Sequence, residues 1–199
     1  TSAEMSNLTA TVIIVTAHVY RRNPPCTITA GDRSPVVQSF DAIAAWRTAG
    51  EAGDPAGAVA ALSPEVTLVS PITEQFTFQG HRQVRTLLEV ALTAIDDITY
   101  TDQVAEGRTV ALFYEARIGE TRVYEAQRLR LGEDGLISHI TLYVRPLPAL
   151  TLLMTRLGPD LARRNGQAGL ARLIPLAGGM MHSMATTGEQ RIMPRAVPR

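Results

Sequence analysis

The sequence predicts an α+β domain with helices packed on one face of an antiparallel sheet. Three observations carry this. Residues 35–95 are dominated by helical periodicity. Four short β-type runs follow, at about 97–104, 109–118, 121–131 and 136–145. The breaks between them hold Glu106-Gly107, Gly119-Glu120 and Glu133-Asp134-Gly135, which suit tight hairpin turns. A run of helices followed by a run of strands argues for α+β, since an α/β fold would alternate the two.

Each element has a local reason. Ser34-Pro35 starts the first helix, with a capping hydroxyl and then Pro at the first helical position. Val36, Phe40, Ile43 and Trp46 share one face of it. Gly50 and Gly53-Asp54-Pro55 end that helix, and Asp54-Pro55 opens a short second one through Leu62. Val66-Thr67-Leu68-Val69-Ser70 reads as a strand stopped by Pro71. Gly80 precedes a third helix, whose apolar stripe is Val84, Leu87, Leu88, Ala91, Leu92 and Ile95. The four β-type runs form a meander, which Arg145-Pro146-Leu147-Pro148 closes.

Two flanks complete the chain. Residues 1–34 hold a β-branched run at 11–15 and then turn-rich sequence; they read as an N-terminal extension, either a short strand and loop or a loosely held tail. Residues 149–163 look helical, with Leu150, Leu153, Met154, Leu157 and Leu161 on one side. A second apolar patch, Leu170, Leu173, Ile174 and Leu176, follows, while Gly178-Gly179 and the Pro-containing end at 186–199 read as a loose tail. The division is therefore 1–34, a central domain over 35–148, and a C-terminal helical extension and tail over 149–199. Residues 147–176 are apolar enough to need burial: over a pocket mouth, on a partner, or on the outer sheet.

Composition narrows the function classes. Of 199 residues, 45% are hydrophobic and 19% charged, enough to bury a core. Lys+Arg and Asp+Glu both number 19, giving zero net charge, which argues against general nucleic-acid binding and against a polybasic membrane anchor. All the cations are arginine, which together with the alanine content suggests a GC-rich, bacterial coding bias. A single cysteine, Cys26, permits no intrachain disulfide and no cysteine-based zinc or iron–sulfur site. Apolar stretches such as Val12-Ile13-Ile14-Val15 are too short to span a bilayer, and no positive n-region or cleavage site marks a signal peptide. The expected location is cytoplasmic. His18, His81, His139 and His182 show no ligand spacing, so no metal is expected; no phosphate loop or nucleophile elbow is present, so no cofactor is expected.

The order helix, short helix, strand, helix and four antiparallel strands resembles the nuclear transport factor 2-like superfamily. Local features carry the likeness: Trp46 with Gly53-Asp54, Val66-x-Leu68-x-Ser70-Pro71, Gly80-His81, Gly135-Leu136-Ile137, and Val144-Arg145-Pro146-Leu147. Together they cover about 36–148. The superfamily includes ketosteroid isomerase, the SnoaL-like polyketide cyclases and limonene epoxide hydrolase. The resemblance implies a cone-shaped curved sheet with helices in its concave face and a pocket for a small apolar molecule. In ketosteroid isomerase that pocket holds a Tyr on the first helix, a general-base Asp before the strand-ending Pro, and a protonated Asp on the third meander strand. These positions fall here on Trp46, Ser70 and Gln127, so the isomerase acid–base set is absent. SnoaL-like cyclases also tend to carry an acid where Gln127 stands. Limonene epoxide hydrolase needs two carboxylates around an Arg; Glu125-Ala126-Gln127-Arg128 holds one carboxylate and one Arg.

Strand alternation then selects the site. If Gln127 faces the pocket, so do Val123, Glu125 and Leu129, with Leu112, Tyr114 and Ala116 and with Ile140, Leu142 and Val144 on the neighbouring strands. The candidate catalytic residues are Gln127, whose amide can orient a carbonyl or hydroxyl, and Glu125, either a desolvated acid–base group or a rim carboxylate paired with an Arg. Trp46, Ser70, Leu112, Tyr114, Ile140 and Leu142 are the expected pocket wall. The opposite face, with Phe113, Tyr124, Arg128, Arg130, Tyr143 and Arg145, is either a solvated surface or a homodimer contact. The leading expectation is a pocket protein acting on, or binding, an apolar metabolite, of cyclase or isomerase type. The alternatives are a non-catalytic binding or assembly module and a limonene-type epoxide hydrolase.

Overall fold

The computed structural model describes residues 35–198. The expected strand at 11–15, Cys26 and the Ser34 cap lie outside the described residues, as do the side chains of Val36 and Phe40.

Helix α1 spans Pro35–Glu51 and buries Ile43, Trp46 and Ala49 along one face. It runs through Gly50, which the sequence suggests as its end. A side chain at Gly50 would meet the Tyr100 hydroxyl at 3.1 Å, so the bare position lets Tyr100 lie against the helix. Helix α2 spans Pro55–Ala60. The Asp54 carboxylate accepts from the Ala56 N–H at 2.9 Å, and Pro55 sits where a missing N–H costs nothing. Helix α2 stops before Leu62 because that residue enters strand β1, Leu62–Val69, beside Ile137.

A two-residue strand, β2 (Phe78–Gln79), pairs antiparallel with β1 and leads into helix α3, Gly80–Ala94. Two residues carry no period, so nothing in the sequence marks β2. Helix α3 buries Val84, Leu87, Leu88 and Val90. The meander follows as β3 (Asp96–Glu106), β4 (Thr109–Ile118), β5 (Thr121–Leu131) and β6 (Ile137–Arg145).

These strands form one curved, unclosed six-stranded sheet in the order β2-β1-β6-β5-β4-β3. The sheet is antiparallel except where β1 runs parallel to β6, so it is mixed. A parallel neighbour needs a long connection, and the chain from β2 to β5 provides it. Burial alternates along β4 and β5, with Leu112, Tyr114, Val123, Glu125, Gln127 and Leu129 all inward. Helices α1 to α3 pack in the concavity, and the core runs continuously between them and the sheet.

Helix α4 spans Leu147–Arg164 and also enters the concave side, burying Ala149, Leu153 and Leu157. Of the three dispositions open to the apolar C-terminal segment, α4 adopts the covering one. Helix α5, Ala168–Thr187, packs on α4. It passes unbroken through Gly178-Gly179, where a loose tail is expected. Gly178 is buried, and a Cβ there would meet Thr155 Oγ1 at 2.4 Å. The glycine allows close helix contact at this point and does not end the helix. A short π-helical segment, Gly188–Ile192, and a 3-10 turn, Met193–Arg195, follow.

Candidate functional site

The concave side encloses a cavity of about 210 Å³. Its walls come from every layer: Trp46 and Gly50 of α1, Leu88 and Leu92 of α3, Tyr100, Tyr114, Glu125, Gln127 and Leu142 of the sheet, and Leu153, Met154, Leu157 and Leu161 of α4. Ser70, Pro71, Ile72, Thr73 and Phe76 line it from the segment between β1 and β2. Ile72 is 38% exposed and Phe76 56%, so they mark its open side. Apart from Ser70 and Thr73 at the open side, the polar lining is one cluster, formed by Trp46 of α1 with Tyr100, Tyr114, Glu125 and Gln127 of β3 to β5.

That cluster is a chain of hydrogen bonds. Trp46 Nε1–H donates to Gln127 Oε1 at 2.8 Å, and the Tyr100 hydroxyl donates to the same oxygen at 3.4 Å. Gln127 Nε2 donates to Glu125 Oε1 at 2.8 Å. Tyr114 lies directly across from Glu125 in the β4–β5 register and hydrogen-bonds its carboxylate. The Tyr100 and Tyr114 rings meet edge to face, with centroids 5.4 Å apart. Arg47 stacks over the Tyr100 ring at 5.5 Å, and Glu51 accepts the Tyr100 backbone N–H at 3.0 Å.

Burial sets the electrostatics. Glu125 is 6% exposed. Loss of water pushes its pKa up, the hydrogen bonds from Gln127 and Tyr114 pull it back, and it comes to about 7. Near neutral pH it is divided between acid and carboxylate, so it can give or take a proton. Burial and the neighbouring Glu125 charge hold the Tyr114 hydroxyl well above its usual range. Tyr100 moves the same way, through burial and then the charges of Glu125 and Glu51, against Arg47 and Trp46. Both tyrosines therefore stay protonated donors.

Six of the eight candidate site residues meet around this cavity: Trp46, Ser70, Tyr114, Glu125, Gln127 and Leu142. Leu112 and Ile140 do not. They point inward but are sealed in the continuous core at 0% exposure. Gln127, expected as a ligand-orienting amide, has an oxygen that accepts from Trp46 and Tyr100 and a nitrogen of which one N–H donates to Glu125, so it also holds the carboxyl in place. Glu125 is not a rim carboxylate, and among the described residues no arginine pairs with it. It is buried on β5, and its partners are the Gln127 amide and the Tyr114 hydroxyl. Glu125 is also the one buried carboxylate among the described residues, so the two-carboxylate arrangement of an epoxide hydrolase is not assembled there. Ser70 Oγ accepts from the Ile72 N–H at 3.2 Å, which shapes the cavity rim. His81, at the start of α3, donates from Nε2 to the Leu62 carbonyl at 3.0 Å. Among the described residues no group of His, Cys, Asp and Glu could hold a metal ion.

Tyr100 and Gly50, beside the polar cluster, are among the site residues that sequence reasoning missed, as are the α4 leucines and the β1–β2 segment after Ser70. Register shifts on either side of Tyr100 break the alternation of β3, which removes the signal that places residues on β4 and β5.

With the geometry in place, comparison with known proteins is decisive on ancestry. The model of the SnoaL-like domain matches residues 41–140, half of the chain. The chain belongs to the SnoaL-like domain family. Within the nuclear transport factor 2-like superfamily, the structural neighbours of this SnoaL-like chain include isomerase-like and cyclase-like proteins. A steroid delta-isomerase from Pseudomonas aeruginosa aligns with a TM-score of 0.59 at 28% identity, over 65% of this chain and 95% of that one. An uncharacterised bacterial protein with a cystatin-like fold, from Silicibacter pomeroyi DSS-3, gives 0.59 at 22% identity, over 65% and 93%. The epoxide hydrolase/cyclase-like enzyme SalBIII, of pyran ring formation in the polyether salinomycin, gives 0.47 at 18% identity, over 54% and 91%. No curated protein matches the sequence.

Proposed function

We propose that this SnoaL-like chain binds a small apolar metabolite in its cavity and moves a proton on it through Glu125, without a cofactor, as an isomerase or cyclase does. The observation that carries the reading is a buried carboxyl, with a pKa near neutrality, among the polar groups of an otherwise apolar cavity. The carboxylate form accepts a proton from the substrate atom seated against it, and the acid form returns it elsewhere on the same molecule. Tyr114 and Gln127 hold the carboxyl in place, and the donors around it stabilise its charged state. The leucines of α3 and α4 exclude water, which keeps Glu125 near neutrality.

The test begins with native mass spectrometry of gently purified protein and denaturing extraction of what is bound. The expected ligand is an apolar molecule of a few hundred daltons, on the order of what such a cavity encloses. With that ligand or its relatives as substrate, Glu125→Gln should lower turnover by about 10²-fold or more and leave binding nearly intact. Unchanged turnover in Glu125→Gln would refute the proton-transfer role.

A second reading, a non-catalytic binding module, is favoured by one observation. Ser70 stands where the isomerases place their base, and its oxygen is engaged in the rim turn. Multiple turnovers by the pure protein would exclude it. We also propose that the outer sheet face, where Phe113 and Tyr143 are exposed beside Tyr124 and Arg145, pairs two copies of the chain.

A further inference from the structure

Charge is segregated along this chain. Residues 35–155 hold nine arginines against fifteen acidic residues, whereas residues 156–199 hold seven arginines against only Asp160 and Glu189. The zero net charge thus conceals a C-terminal segment of net +5. That segment carries the basic excess an anionic membrane surface attracts, although the whole chain is neutral.

The same segment presents an extended apolar face. On α5, Leu170, Leu173, Leu176, Met180 and Met184 recur at steps of three, three, four and four, which keeps them on one side. All are more than half exposed, Leu176 at 68% and Met184 at 74%. The other side packs on α4 through Ala171 and Gly178. Arg172 is the single Arg, Asp or Glu within α5. Arg163 and Arg164 precede the helix, and Arg191 and Arg195 follow it. No described helix is long and apolar enough to cross a bilayer.

We propose that α5 is an interfacial helix that seats its Leu/Met face on an anionic phospholipid surface. The apolar side chains enter the boundary between headgroups and acyl chains, and Arg172, Arg191 and Arg195 meet lipid phosphates, while Arg163 and Arg164, which pair with Asp160 and Glu89, flank the contact. Charge favours this occupant over a second copy: two α5 faces pressed together would juxtapose two segments of +5, and α5 holds no acid to offset them. The position of the helix gives the contact a use. Gly158 of α4 lines the cavity, and Ile174 of α5 packs directly on it, since a Cβ there would meet Ile174 Cγ2 at 2.7 Å. A docked α5 would hold the cavity wall at the bilayer, where apolar molecules concentrate. That last link rests on the pocket reading; the docking itself does not.

The experiment is vesicle flotation of the full chain, with phosphatidylcholine vesicles and with vesicles of phosphatidylcholine and phosphatidylglycerol in equal parts. The wild type should float with the anionic vesicles and not with the neutral ones. Leu173→Gln combined with Met180→Gln and Met184→Gln, all at exposed positions outside the cavity, should keep its circular dichroism and lower vesicle affinity by about tenfold or more. Glu125→Gln should float like the wild type, which separates failure of the docking from failure of the catalytic reading. Absence of flotation on anionic vesicles, or equal flotation of the triple variant, overturns the proposal. So does a wild-type dimer that the triple variant converts to monomer, because the face would then belong to a second copy.

Discussion

Glu125 draws its chemistry from a conflict between burial and charge. Its pKa of about 7 in the fold, against 4.5 when exposed, means that the folded state binds its proton more tightly than the unfolded chain does. Its stabilising effect is complete below about pH 4.5 and is lost as pH rises through 7, because charging the buried carboxyl then costs folding free energy. Glu125→Gln keeps an acceptor for Tyr114 and for Gln127 Nε2 but carries no charge. We expect its advantage over the wild type to be small near pH 5 and to grow to about 3 kcal/mol above pH 7. Urea unfolding of both proteins at those two pH values checks this, and a constant difference would contradict the burial argument. Strand period places Gln127, Glu125 and Tyr114 on one face from sequence alone. The division of labour among them was not legible, because the groups that occupy the Gln127 oxygen, Trp46 and Tyr100, lie 81 and 27 residues away in the chain.

The packing of α4 on α5 shows how one residue type can carry opposite meanings within a helix. Gly178 and Gly179 are adjacent and together read as a breaker. Gly178 faces α4, where a Cβ would lie 2.4 Å from Thr155 Oγ1 and 3.3 Å from the Thr155 Cα. Gly179 has nothing within 4 Å. Alanine should therefore stabilise α5 at 179 by up to about 1 kcal/mol through helix propensity. At 178 it should destabilise by about 1–3 kcal/mol through overpacking. Thermal unfolding of the two single variants should shift the midpoint in opposite directions. His182 reinforces the same interface by donating from Nδ1 to the Pro148 carbonyl at 3.0 Å. The elements that sequence predicts best, α3, β4 and β5, are those with unbroken periods; β6 is interrupted by a register shift beside Ser138. Strand β2 is too short to have one, and β1 carries a register shift between Leu62 and Thr67 that hides its first half.

Taken whole, the molecule offers three surfaces with different physical tasks. The concave side is closed by α4 and encloses the cavity. The C-terminal helices carry the positive excess and the apolar face of α5. The outer sheet face presents Phe113 of β4 at 39% exposure and Tyr143 of β6 at 55%, in register on either side of Ala126 of β5. Pairing of two copies through that face should give twice the monomer mass in sedimentation. Phe113→Glu with Tyr143→Glu should return the chain to a monomer without changing cavity ligand binding, since neither residue lines the cavity. A wild-type monomer would contradict the pairing.

Sequence determined the α+β class, the meander and the inward faces of β4 to β6. These rest on short-range periodicity and on turn and cap chemistry, which neighbouring residues encode; the family resemblance rests on the order and spacing of local motifs. Tertiary structure alone decided that Leu112 and Ile140 are core, that Tyr100 and Gly50 belong to the site, that Gln127 serves Glu125, and that α4 roofs the cavity. Each of these depends on which distant side chain removes water from a given place. Burial, and with it the pKa of a carboxyl, is a property of the assembled packing, and no local pattern contains it.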